Sequence, residues 1–196
     1  MRTLHSIVQL GATARRFNEC RDGLAATELA LIMPVLLLLF CGGADLSLFV
    51  RTHFQAAQMA STVADVVARY ETVTSADVAA ILGVSAEVMG VEKFDAAGTV
   101  ILSSVATDEA GDATVAWQCS SGDLGSISRI GSVGDAAGLP GGLALGADDN
   151  VIVAEVYYQY EPLFGWIAPE VTLIYKTALF RPRLGSLTIA PGCVGK

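Results

Sequence analysis

One stretch limits what this chain can become. From Leu24 to Val50 it holds two carboxylates, Glu28 and Asp45, and no lysine, arginine or histidine. As helix the stretch would reach about 40 Å at about 1.5 Å per residue, against a hydrocarbon core of about 30 Å. It is expected to cross a membrane once, as a transmembrane helix over 24–50. Pro34, inside it, removes one backbone hydrogen bond and is expected to kink it. Only about 24 Å of helix separates Glu28 from Asp45, so the two acids cannot reach water on opposite sides of an undistorted bilayer. One must be protonated, paired or tolerated by local thinning, and a charge at membrane depth marks a functional position. The plain alternative places Glu28 in the cytoplasmic headgroup layer.

Charge sets the orientation. Residues 1–23 carry Arg2, Arg15, Arg16 and Arg21 against Glu19 and Asp22, a net +2, whereas residues 51–196 carry 8 Lys/Arg against 16 Asp/Glu, a net −8. Basic residues flanking a span stay in the cytoplasm. Three regions follow: a cytoplasmic basic leader (1–23), the transmembrane helix (24–50) and an exported domain (51–196) large enough for its own core. So acidic a domain repels nucleic acid and anionic lipid. Cys20 falls in the leader and Cys41 in the span. Cys119 and Cys193 fall in the exported part, where a disulfide persists. Their pairing would close a loop of about 75 residues, worth about 4 kcal/mol in the chain-entropy model; the alternative is two unpaired buried thiols.

The helical pattern does not stop at Val50. Ala56, Ala57, Met59, Ala60, Val63, Val66, Val67 and Tyr70 recur at three- and four-residue spacing, with Gln55, Gln58, Asp65 and Arg69 between them. One helix is expected from Leu24 to about Tyr70, its outer half packed on the exported domain. A second, shorter helix is expected to open at Ser75 as its capping residue and to end near Gly83 or Gly90. Thr99–Ala106 and Ala113–Cys119 are β-prone runs around the turn residues Asp108–Asp112, a hairpin signal. The Gly-rich stretch 120–150 has no long apolar run and is expected to be a long loop, mobile or a surface for a partner. Val151–Tyr160 and Val171–Phe180, joined through Pro162–Pro169, are expected to form a second antiparallel pair. The tail would bring Cys193 back towards the sheet. The fold class is α+β: a long N-terminal helix, a short second one and a small antiparallel sheet.

Catalytic chemistry finds few candidates. The two histidines are His5 and His53, so residues 54–196 hold none for a Ser-His-Asp or Cys-His arrangement. Cys119 and Cys193 stand alone, without the clustering a zinc site needs. The glycines of 122–146 lack the lysine and helix of a phosphate loop. Asp148-Asp149-Asn150 and Asp108/Glu109/Asp112 lack the alternating ligand spacing of a Ca²⁺ loop and read as solvated turn acids. No catalytic residue, metal or cofactor is expected.

Gly23 is followed at once by apolar residues, with Glu28 at the fifth position, and this resembles a type IV prepilin-like processing site. The run Arg21-Asp22-Gly23-Leu24-Ala25-Ala26-Thr27-Glu28-Leu29 through Leu37 resembles the N-terminus of the TadE-like (TadE/TadG) proteins, pseudopilins of the Tad (Flp-type, tight-adherence) pilus. Val151–Leu163 and Lys176–Arg183 are similar to that family's closing strands. The Tad pilin site usually has Glu-Tyr, and here Leu29 follows Glu28. The resemblance implies a non-enzymatic minor pseudopilin or assembly component in the inner membrane. It would be cut after Gly23 by a prepilin peptidase and partnered by other pilins and the Tad assembly machinery. Glu28 would pair with a neighbouring subunit's new amino terminus at Leu24, giving register more than net stability. Two other readings stand beside it. One is a secreted protein whose signal peptide is cut near Ala44, after Gly42-Gly43; the other is a membrane-anchored enzyme or ligand-binding domain.

Overall fold

A computed structural model describes residues 24–88, 94–122, 124–165 and 171–195. The leader with Gly23, the Gly90 helix end and residues 166–170, with Pro169, lie outside the described residues. Helix α1 runs Leu24–Val67 with Pro34 inside it. Two further helices follow, α2 (Ser75–Val88) and the single turn α3 (Phe94–Ala97). The strands are β1 (Gly98–Thr107), β2 (Ala113–Ser121), β3 (Asn150–Tyr160), β4 (Thr172–Phe180) and β5 (Val194–Gly195). The chain divides into two compact units, Met1–Ala44 and Asp45–Lys196.

In the first unit α1 is bare. Leu29, Leu31, Ile32, Met33 and every residue from Val35 to Phe40 are exposed, Leu31 by 80% and Phe40 by 72%. Among the described residues α1 is the one helix long and apolar enough to cross a membrane, and its most apolar window has no buried residue. It fits a single-pass membrane anchor.

The second unit is an α+β domain. Its five strands lie in the order β4-β3-β1-β2-β5, with every neighbouring pair antiparallel. The two hairpins expected from sequence are thus one sheet, joined where β1 pairs with β3 (Leu102 opposite Ala154). α1 lays Ala56, Met59, Ala60, Val63, Ala64 and Val67 on one face of that sheet, against Val100, Leu102, Trp117, Ile152, Ala154 and Val156. The small residues bring the helix close, and Met59 and Val63 fill the space between. Tyr70, expected on this face, is exposed, because the helix stops at Val67.

The start of α2 is one residue earlier than expected. Thr74, not Ser75, is the capping residue. Its hydroxyl accepts the Asp77 N–H (3.3 Å), and the Asp77 carboxylate accepts the Thr74 N–H (2.9 Å), a reciprocal capping box. The helix runs through Gly83 to Val88.

The largest departure from the sequence reading is the Gly-rich crossover after β2. It is no free loop: it covers the second face of the sheet. Ile130 is buried there, and Val133, Ala137, Leu139 and Leu145 pack on Val105, Val115, Val151 and Val153. Sandwiched between α1 and this crossover, β3 is buried at every position from Asn150 to Tyr157. That explains why its apolar residues, interrupted by Glu155, show no alternation.

Candidate functional site

The residues singled out in the sequence lie at three levels along the chain. Leu24 opens α1, and Glu28 follows one turn later on the same side. Both are exposed, and the Thr27 hydroxyl donates to the Leu24 carbonyl (2.8 Å). Gly23 lies outside the described residues. Pro34 sits inside the helix, where it leaves the Ala30 carbonyl without its usual donor.

Asp45, the second acid of the apolar stretch, is the first residue of the folded unit. It is 3% exposed, and its Oδ1 accepts the backbone N–H groups of Leu163 and Phe164, both at 3.0 Å. The Tyr160 hydroxyl donates to the Asp45 carbonyl (3.2 Å). Burial, and then the charge of Asp45, push the Tyr160 phenol above its ordinary value. Of the two acids, Asp45 is therefore hydrogen-bonded through Oδ1, while its buried Oδ2 has no partner, and it clasps the turn after β3 to the helix. Phe49 stacks edge-on against Tyr160 (5.4 Å between centroids) and fixes the same corner.

The far end of the domain is closed by the tail. Cys119 of β2 and Cys193 form a disulfide with Cα atoms 5.1 Å apart. The Pro191 carbonyl accepts the Ser75 N–H (2.9 Å), and Gly192, at φ +87°, leaves room where a Cβ would lie 2.3 Å from the Ser75 Oγ. Deeper in, the Leu187 carbonyl accepts both the Trp117 indole N–H (2.8 Å) and the Ser104 hydroxyl (2.7 Å). Asn150 completes the group: its amide donates to Ser104 Oγ and to the Val105 carbonyl, and its Oδ1 accepts the Leu187 N–H. The register shifts at this point, where Ser104 and Val105 face Trp117 and Val115 and Ala116 is the extra, bulged residue of β2. At the end of α1, the Arg183 N–H donates to the Ala68 carbonyl (2.8 Å) and its guanidinium pairs with Asp65.

A buried carboxylate lies between the sheet and the crossover, and sequence reasoning did not single it out. Glu155, in the middle of β3, has no exposed surface. It accepts the Arg129 N–H (2.9 Å), the Tyr175 hydroxyl (2.9 Å), the Tyr157 hydroxyl (3.2 Å) and the Ser128 hydroxyl. The Arg129 guanidinium stands 4.1 Å from the Tyr175 ring centroid. Burial, then the Glu155 charge, pushes the Tyr157 phenol up to about 12 and raises Tyr175 as well. An acid in the middle of an otherwise apolar strand was the available signal: such a group persists only when donors surround it.

The turn acids have local partners. The Asp108 carboxylate accepts the N–H groups of Ala110 and Asp112, and Asp149 pairs with Arg181. Among the described residues no three His, Cys, Asp or Glu side chains gather as a metal site would require.

Comparison with known proteins gives one family. No curated protein and no solved structure matches the chain. Residues 23–65, which take in the bare apolar helix and its continuation onto the sheet, match the family model described as TadE-like protein, and over that segment the chain is similar to TadE-like proteins.

Proposed function

We propose that this chain is a non-enzymatic minor pseudopilin or assembly component of a Tad-type pilus. It is held in the inner membrane by α1, with the N-terminus cytoplasmic and the α+β domain periplasmic. The observation that carries this reading is the position of the family match, which covers the bare helix and the first turns packed on the sheet. Because the folded unit begins at Asp45, we take the span to be Leu24–Ala44, shorter than the 24–50 expected from sequence. It measures about 31 Å as helix and fits a core of about 30 Å without thinning. The basic leader gives the orientation, and Pro34 bends the helix within the bilayer.

In this reading a prepilin peptidase cuts after Gly23, and the new amine at Leu24 meets Glu28 of a neighbouring subunit. Each would otherwise be a lone charge in hydrocarbon, so pairing fixes the axial register between subunits. The partners are other pilins and the Tad assembly machinery. N-terminal sequencing of the mature protein tests the processing step: Leu24 is expected, while Asp45 would indicate a cleaved signal peptide and Met1 an uncut anchor. Glu28→Ala tests the assembly step. It is expected to abolish incorporation into pili while membrane-bound protein stays at the wild-type level, and equal incorporation of the variant refutes the pairing.

A further inference from the structure

We propose that the turn after β3, Pro162–Gly165, is a membrane-interface anchor whose Leu163 and Phe164 lie in the outer headgroup layer, at the depth where α1 leaves the bilayer. The inference rests on Leu24–Ala44 being the span. Asp45 is covalently the next residue, and its Oδ1 lies 3.0 Å from the amide nitrogens of both Leu163 and Phe164. The two backbone amides therefore stay beside the residue that follows the span. Both side chains are exposed, Leu163 by 66% and Phe164 by 41%, as is Leu46 one residue further along the helix.

Two physical features fit this turn to lipid rather than water. Backbone N–H groups entering a poorly hydrated layer must already be bonded; those of Leu163 and Phe164 are, to the same carboxylate. An aromatic and an aliphatic side chain side by side on an exposed turn are what the bilayer interface favours. The attraction is apolar and not electrostatic. The turn carries Glu161 on its flank and no basic cluster, and residues 51–196 have a net charge of −8. The surface therefore fits a zwitterionic bilayer, and its contact should be insensitive to salt.

The test uses the full chain with Cys20→Ser and Cys41→Ser, in phosphatidylcholine nanodiscs containing one protein each. Single nitroxide labels are placed by Leu31→Cys, Leu163→Cys or Leu143→Cys, all exposed positions that leave the core untouched. Power saturation compares collision with oxygen, which concentrates in lipid, and with an aqueous nickel complex. Oxygen accessibility exceeding nickel accessibility is expected at Leu31 and Leu163, with the order reversed at Leu143 and no change in high salt. An additional Asp45→Ala is expected to move the Leu163 label to the Leu143 pattern. If Leu163 reads as Leu143 does while Leu31 remains lipid-like, the anchor is refuted and the span stands. If Leu31 also reads as aqueous, the span itself fails. A Leu163 label shielded from both probes only when several chains share a disc would assign the turn to a protein contact and overturn the proposal.

Discussion

Removing the Glu155 carboxylate should cost the domain a large part of its stability. In Glu155→Ala, Tyr157 keeps an acceptor, because its hydroxyl also lies 3.0 Å from the Ile127 carbonyl. The Arg129 N–H, the Tyr175 hydroxyl and the Ser128 hydroxyl lose theirs. A hydrogen bond to a charged group contributes about 1.5–3 kcal/mol. Arg129 is exposed and Ser128 only partly buried, so both recover part of the loss from water. The sum then falls at about 3–4 kcal/mol, in the range for breaking one side of a buried ionic network. Domains of this size are stable by about 5–15 kcal/mol, so the variant should still fold, with a much lower midpoint. Glu155→Gln retains one acceptor oxygen and should lose about half as much. The assay is equilibrium urea unfolding of the full chain in micelles, followed by tryptophan fluorescence. A second readout is tryptic cleavage after Arg129 under native conditions, which should accelerate as the crossover loses its tether. A Glu155→Ala loss below about 1 kcal/mol, with cleavage unchanged, would refute the claim that this carboxylate holds the crossover to the sheet.

Cys193→Ser should lower stability by about 4 kcal/mol, seen as a fall in the urea midpoint that reductant reproduces in the wild type and that Cys41→Ser does not. Alkaline pH should also weaken the fold. Tyr157 titrates near 12 when folded and near 10 when unfolded, so its neutral form is the one the native state favours. That contribution is whole below pH 10 and disappears as pH rises towards 12. Tyrosinate absorbance should show Tyr157 and Tyr175 titrating latest, with Tyr158 and Tyr160 also delayed, and the delay should vanish on unfolding.

Local signals carried much of the architecture. The apolar block, the helical spacing beyond it and the two β-prone hairpins were readable because each depends on neighbours within about a dozen residues. The pairing of β1 with β3 was not, since residues some fifty positions apart must meet and no local period records it. The crossover was misread for a related reason. Ile130, Val133 and Ala137 stand at helical spacing but are interrupted by Gly131 and Gly134, Leu139 and Leu145 continue no period, and their packing follows only from the sheet face they cover. A clue did exist in β3, whose apolar residues, broken only by Glu155, do not alternate from Val151 to Tyr157 and so call for both faces to be covered. At the candidate site, the sequence showed that Glu28 and Asp45 could not both be ordinary acids. It could not show that Asp45 finds its partners in the amides of a turn more than a hundred residues away.

The tail has a consequence for how the domain comes into being. Leu187 supplies the acceptor for Trp117 and Ser104 and the donor for Asn150, and Cys193 ties β2 to the same end. As the chain emerges N-terminus first, a polypeptide released only as far as β4 has four of the five strands of the sheet. It also has three polar side chains facing an interior that nothing yet closes. Such an intermediate is sticky and incompletely bonded. Residues 187–193 act as the bolt of the structure: the subunit becomes inert towards its neighbours, and fit to be handled as a unit, once they have swung home.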